Sequence, residues 1–253
     1  MRHLSLVVAA VLALIPAAPA LGQETTQKFR GYAYDLDSNK FLYTEIHEQK
    51  ISGDRWVGGT IDYYAADGSR IGHKTLDFSK DPYVPIYRLD LTTGNGYMEG
   101  ITAVSAERIE MQKKGYGTST VRTASIRRRD PVVADSGFHS FLRDRFPDLV
   151  AGKTVPFTFA VSGELNEFRF RARRIADATF EGKPAVRLKV EPATLLRLLA
   201  DPLEIVYEPT RRRMLEYRGI SNLHDPKTLE AYSVRIVYPS VPPPDAPALP
   251  EGL

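Results

Sequence analysis

The sharpest chemical pattern in the chain is Phe168-Arg169-Phe170-Arg171-Ala172-Arg173. In an extended strand, alternate side chains point to opposite faces, so the aromatic residues share one face and Arg169, Arg171 and Arg173 the other. A row of guanidinium groups offers planar forks of donors that could clamp the phosphate or carboxylate of an anionic ligand. The simpler account is a solvent-facing strand whose arginines pair with acidic neighbours, and the alternation favours it. Arg127-Arg128-Arg129 and Arg211-Arg212-Arg213 form two further basic clusters at loop edges. Both could meet anionic lipid headgroups, but short runs of this kind are normally just solvated.

Catalytic patterns are sparse. Ser136 and His139 lie close together, without the Gly-x-Ser-x-Gly elbow, and Ser136 beside Asp135 suits a helix cap better than a nucleophile. Glu45 and His47 share a strand face while Glu48 points away, which reads as an exposed polar face. Lys113-Lys114-Gly115-Tyr116-Gly117-Thr118 lacks the Gly-Lys-Ser/Thr order of a phosphate loop and reads as a hairpin turn. His47, His73, His139 and His224 fall at no metal-binding spacing, and there is no cysteine to join them. Asn222 and His224, in the polar stretch Tyr217 to Asp225, could bond a ligand but read as a structured loop. Tyr32, Tyr34, Tyr43, Tyr63, Tyr64, Tyr207, Tyr217, Tyr232 and Tyr238 fall in or near expected strands, as β propensity alone would place them.

The elements that must position these residues are mostly strands. Extended runs are expected over 29–34, 40–49, 56–64, 70–78, 86–91, 97–103, 108–113 and 118–126, separated by Asp, Asn and Gly turn signals. From Asp135 to Val150 the rhythm changes. Phe138, Phe141, Leu142, Phe146 and Leu149 recur at helical spacing, with Asp135 or Ser136 as N-cap and Pro147 ending or kinking the helix. Strands resume over 155–161, 167–175 and 185–190. A second short helix is expected at Pro192 and Leu195 to Leu199, then strands over 203–207, 214–218 and 229–238. The two strand-rich stretches could be halves of one large sheet. From Pro239 onward six of fifteen residues are proline, the composition of an extended, flexible tail.

The beginning of the chain supplies an address. Arg2 and His3 lead into an apolar run from Leu4 to Ile15 and then the small residues of Pro16 to Gln23, the pattern of a secretory signal peptide cleaved after Ala20 or Gly22. The apolar run is about a dozen residues, short of the roughly twenty that span a bilayer. Residues 1–22 are therefore expected to be removed, 23–238 to form a single β-rich domain and 239–253 a Pro-rich tail, in the periplasm or outside the cell. With no cysteine, neither lipid attachment nor a disulfide is available, so stability rests on a packed core. A net charge of +3 predicts no strong attraction to nucleic acid. Charges on both faces of strands, such as Arg70 and Lys74 against His73 and Asp77, argue against a lipid-facing barrel.

Gly31-Tyr32-Ala33-Tyr34-Asp35-Leu36-Asp37, Tyr43-Thr44-Glu45, Asp135-Ser136-Gly137-Phe138 and Tyr217-Arg218-Gly219-Ile220-Ser221-Asn222 resemble segments of a group of uncharacterised secreted bacterial β-rich proteins, a family of unknown function. The resemblance covers most of the mature chain and transfers no functional residue. A looser likeness to periplasmic lipoprotein carriers implies a long sheet curled round an apolar cavity closed by helices. The resulting expectation is an all-β fold, a long curved antiparallel sheet or open barrel packed on a helix. It would serve as a non-enzymatic binding or envelope-associated module for a lipid or other amphiphile, without a cofactor or metal. Phe138, Phe141 and Phe146 would touch the apolar part of the ligand, with Arg169, Arg171 and Arg173 near the mouth. An envelope hydrolase with a dispersed active site is the alternative.

Overall fold

Alternating apolar and polar residues, punctuated by turns, become fifteen strands in the computed structural model, which describes residues 24–193 and 202–247. The first half is a run of hairpins: β1 (Glu24–Asp35), β2 (Phe41–Ser52), β3 (Arg55–Ala65), β4 (Arg70–Asp77), β5 (Ile86–Leu91), β6 (Tyr97–Val104), β7 (Arg108–Lys114) and β8 (Arg122–Arg127). Then come β9 (Val132–Ala134), α1 (Gly137–Asp144), α2 (Phe146–Val150), β10 (Val155–Val161), β11 (Asn166–Phe180), β12 (Lys183–Pro192), β13 (Leu203–Tyr207), β14 (Met214–His224) and β15 (Ala231–Val237).

All fifteen belong to one sheet, ordered from β8 down to β1, then β15 down to β9. The two halves are joined where Tyr32 to Asp35 of β1 pair with Val234 to Val237 of β15. Every pairing is antiparallel except β9 with β10. Register shifts interrupt seven of the pairings, including β1–β2, β2–β3, β6–β7 and β11–β12. Bulges of this kind sharpen the local twist and bend a strand, so a sheet this long curls rather than lying flat.

The concave side holds two apolar clusters. One joins Tyr43, Ile61, Leu76, Leu89, Ile101 and Ile109 of the first half to Leu223, Val234 and Ile236 of the second. The other seats α1 and α2 on β10 to β13, with Phe141, Leu142 and Leu149 fully buried against Phe157, Leu188, Ile205 and Tyr207. The expected single helix is two. Helix α1 ends at Asp144 with Arg145 as its C-cap, and α2 restarts with Pro147 in its first turn, where a missing N–H costs nothing.

Gly137 opens α1 at a point of close approach: a Cβ there would lie 2.0 Å from the Tyr83 carbonyl oxygen. Ser136 precedes the helix but makes no side-chain cap, because its hydroxyl donates to Asp135 Oδ1 instead (2.7 Å). The described part of the Pro-rich tail makes contacts with the sheet. Tyr34 donates to Asp245 (3.0 Å), Ser240 bonds Glu181, and Ala246 packs beside Tyr34 and Phe41. The expected helix at Leu195 to Leu199 and the signal segment lie outside the described residues. Among the described residues, no helix is long and apolar enough to cross a membrane.

Candidate functional site

Antiparallel register lines up residues from separate strands into rows that cross the sheet. One row runs Phe29, His47, Ile61, Lys74, Leu89, Glu99, Lys113 through β1 to β7, each residue the direct partner of the next. The neighbouring row runs Gly31, Glu45, Tyr63, Gly72, Leu91, Tyr97. Both rows face inward, and most of their members border a cavity of about 1280 Å³, bounded on other sides by Phe138 and His139 of α1, Ser162 and Gly163, and Tyr217 to His224 of β14. This volume exceeds the roughly 300–1,000 Å³ of ordinary small-molecule pockets.

The floor of the cavity is polar. Glu99, 3% exposed, accepts hydrogen bonds from Tyr97 (2.7 Å), Asn222 (2.7 Å) and Tyr87 (3.1 Å). Burial raises its pKa, partly offset by the Tyr97 and Asn222 donors and by the positive charge of Lys74. Lys74 Nζ donates to Asp135 Oδ2 (2.6 Å), both side chains being almost wholly buried, and sits 5.7 Å from the centre of the Tyr87 ring. Desolvation pushes the phenols of Tyr43, Tyr63, Tyr87 and Tyr238 far above the ordinary tyrosine range, so these groups act as hydroxyl donors and acceptors, not as phenolates.

Nearer β1, Glu45 Oε2 lies 2.9 Å from His47 Nε2 and 3.1 Å from the Tyr238 hydroxyl. Phe29 stacks on the His47 ring at 4.4 Å. In the neutral tautomer that carries its proton on Nε2 toward Glu45, Nδ1 is an acceptor. That Nδ1 is buried and has no hydrogen-bond partner among the described residues. His139 also borders the cavity; its Nδ1 is hydrogen-bonded to the Tyr207 hydroxyl (2.9 Å), and burial, with Arg143 and His47 nearby, lowers its pKa to about 3. At the other end of the row, the Tyr116 hydroxyl is hydrogen-bonded to His224 Nδ1 (3.0 Å), and burial lowers the pKa of His224 as well.

Of the residues singled out from sequence, Phe138 borders the cavity, whereas Phe141 and Phe146 lie in the core beneath α1 and α2. The arginine strip does not reach it. Arg171 and Arg173 pair with Glu191 on the adjacent strand (2.7 and 3.7 Å), and Arg169 is exposed. The structure therefore does not bring Arg169, Arg171 and Arg173 to the mouth. Glu45 and His47, expected on an exposed face, are 6% and 7% exposed and point inward. The stretch after Tyr217 is strand β14, not a loop, and it carries Asn222 to Glu99 and Ser221 to Tyr43. The side chains of Ser136 and His139 are engaged with Asp135 and Tyr207 and do not bond each other. No group of three or more His, Asp or Glu side chains that could hold a metal ion occurs among the described residues.

Lys74 and Glu99 carry a local signal of burial. Lys74 lies between Gly72 and Leu76 on the inward face of β4, and Glu99 between Tyr97 and Ile101 on that of β6. A charge flanked on its own strand face by apolar or small residues marks a buried polar site.

No protein-family model matches the chain, and no curated protein matches it. Among solved structures it is similar to the crystal structure of a β-barrel-like protein of domain of unknown function DUF1849 from Brucella abortus, with a TM-score of 0.49 and 8% identity over 86% of this chain and 97% of that one.

Proposed function

We propose that this chain is an exported binding protein that holds an amphiphilic molecule inside the curve of its sheet. The observation carrying this reading is the cavity of about 1280 Å³, with Phe29, Trp56, Phe138, Phe159 and Phe170 on its wall and Glu99, Lys74, Asp135 and Asn222 in its floor. The aromatic wall suits an apolar chain or ring; the floor suits a hydroxyl- or amide-bearing part that can enter a hydrogen-bonded network. This is a more polar interior than a pure lipid carrier would need. Export to the periplasm or beyond rests on the Arg2 to Gln23 segment.

Mass spectrometry of organic extracts from protein purified out of its native envelope tests the reading. A defined amphiphile recovered at near-stoichiometric amount is expected. Its absence, together with no binding of the uncharged reporter N-phenyl-1-naphthylamine, would overturn the proposal.

The Glu45–His47 pair favours a second reading, hydrolysis within the same cavity, because a carboxylate-held imidazole with a free nitrogen is the arrangement of a general base. Turnover of ester or phosphoester reporters that disappears in His47→Ala would support it. No turnover in the wild-type protein would remove it.

A further inference from the structure

Three elements distant in sequence meet at one end of the cavity: the β2–β3 turn with Asp54, the end of α1 with Arg143, and the β13–β14 turn with Arg211, Arg212 and Arg213. We propose that Arg143 and Arg212 receive the anionic end, a carboxylate, phosphate or sulfate, of the molecule held in the cavity. This inference rests on reading the cavity as a binding site and adds the charge and the orientation of its ligand.

The two guanidinium groups are held without being neutralised. Arg212 Nη1 donates to the Arg143 carbonyl (3.1 Å), and Arg143 Nη2 donates to the Asp54 carbonyl (3.4 Å). Backbone carbonyls fix direction while leaving the net charge and the other N–H donors of each fork available. Among the described residues neither arginine lies within ion-pair distance of a carboxylate, unlike Arg128, Arg171, Arg187 and Arg218. Arg211 and Arg213 are different, since Glu208 and Glu181 feel their charge. They add to the local potential without being the primary receptors.

Backbone geometry points the same way. Arg212 has a φ of 53°, a left-handed conformation uncommon outside glycine, asparagine and aspartate. The turn holds this strained residue at the cavity edge, where its guanidinium reaches back over the end of α1. Deeper in, the charges are mixed and largely partnered: Asp135 is paired with Lys74, Glu99 accepts three hydrogen bonds, and Lys113 lines the same side. Arg143 and Arg212 place two positive charges without a carboxylate partner together at the mouth, which is where the anionic end of an amphiphile is expected.

The experiment compares two probes with the same chain and fluorophore, 11-dansylaminoundecanoic acid and its methyl ester, on the full protein. The acid is expected to bind about tenfold more tightly than the ester, the scale of one charge-assisted hydrogen-bonded contact. That preference, read as the ratio of acid to ester affinity within each variant, should disappear in Arg143→Gln/Arg212→Gln and shrink in Arg212→Gln alone. Displacement of the acid by inorganic phosphate would identify a free anion as sufficient; an intact preference without displacement would identify an anion carried on an apolar chain. Equal binding of acid and ester, or a preference that survives in both variants, overturns this inference alone. Failure of both probes to bind overturns the cavity reading and this one with it.

Discussion

Lys74 and Asp135 form a buried ion pair, 2.6 Å apart, that ties the middle of the first-half sheet to the chain two residues before α1. Asp135 holds a φ of 42° and uses its second oxygen to accept from the Ser136 backbone N–H (2.6 Å) and hydroxyl. One carboxylate thus sets the start of the helix and its position over the cavity floor. Removing one partner leaves the other charged and unpaired. Lys74→Met and Asp135→Asn should each cost about 3–5 kcal/mol. The double substitution Lys74→Met/Asp135→Asn should cost less than the sum of the two. Chemical denaturation of the three variants checks this, and strict additivity would refute the coupling.

Acid should loosen the fold in a window set by His139. Burial holds its pKa at about 3, against 6.5 for a free imidazole, so between those values the unfolded chain binds a proton that the folded chain refuses. The stability contributed by a neutral His139 is complete above pH 6.5 and is lost progressively as the pH falls toward 3. At pH 5 the loss from this group is at most about 2 kcal/mol. His139→Gln keeps a hydrogen-bonding group beside the Tyr207 hydroxyl while removing the titration. The drop in Tm between pH 7.5 and pH 5 should therefore be smaller in His139→Gln than in the wild type; equal drops would exclude His139 as the source.

Strand positions were legible because alternation and turn residues are local signals. The runs 86–91, 155–161 and 203–207 coincide with β5, β10 and β13. Strand β9 escaped notice since three residues after a proline, paired in parallel with β10, have no alternation to display. The site was much less legible. Period two groups Glu45 with His47 but cannot say which face is inside, and a polar inward row looks like a solvated one. Nor can hairpin patterns place Phe29, His47, Lys74, Glu99 and Lys113 in one row, because that depends on registers altered by bulges after Lys50, Tyr63 and Ile101.

Gly137 is required by space. The Tyr83 carbonyl already accepts from the Ala134 N–H (2.9 Å), and a Cβ on residue 137 would meet that same oxygen at 2.0 Å. Gly137→Ala must push α1 away from the sheet, with an expected cost of about 1–3 kcal/mol. A melting temperature within a degree of wild type would show that the helix end moves freely.

Phe138 and Phe141 sit one turn apart on α1 and should behave differently. Phe141, 1% exposed, packs on Tyr83 and Phe157 with ring centres 5.5 and 5.3 Å away, and it does not border the cavity. Phe141→Ala should cost about 3–5 kcal/mol and leave the affinity for N-phenyl-1-naphthylamine at low temperature unchanged. Phe138 borders the cavity beside Phe159, so Phe138→Ala should change that affinity severalfold. Denaturation curves and reporter titrations on both variants separate core from lining; identical reporter affinities in Phe138→Ala and wild type would remove Phe138 from the site.

The arginine strip on β11 supplies the final contrast. Arg171 donates to Glu191 through Nε (3.1 Å) and Nη2 (2.7 Å), and the resulting hydrogen bond and charge hold the Glu191 carboxyl below its usual range. The guanidinium is 36% exposed, where water screens the attraction and side-chain ordering offsets much of it. Arg171→Gln should therefore cost less than about 1 kcal/mol and leave reporter affinity and the acid-over-ester preference as in wild type. Because Arg171 faces away from the cavity wall, a clear loss of binding in Arg171→Gln would move the ligand to the outer face of β11 and displace the mouth arginines Arg143 and Arg212 from that role.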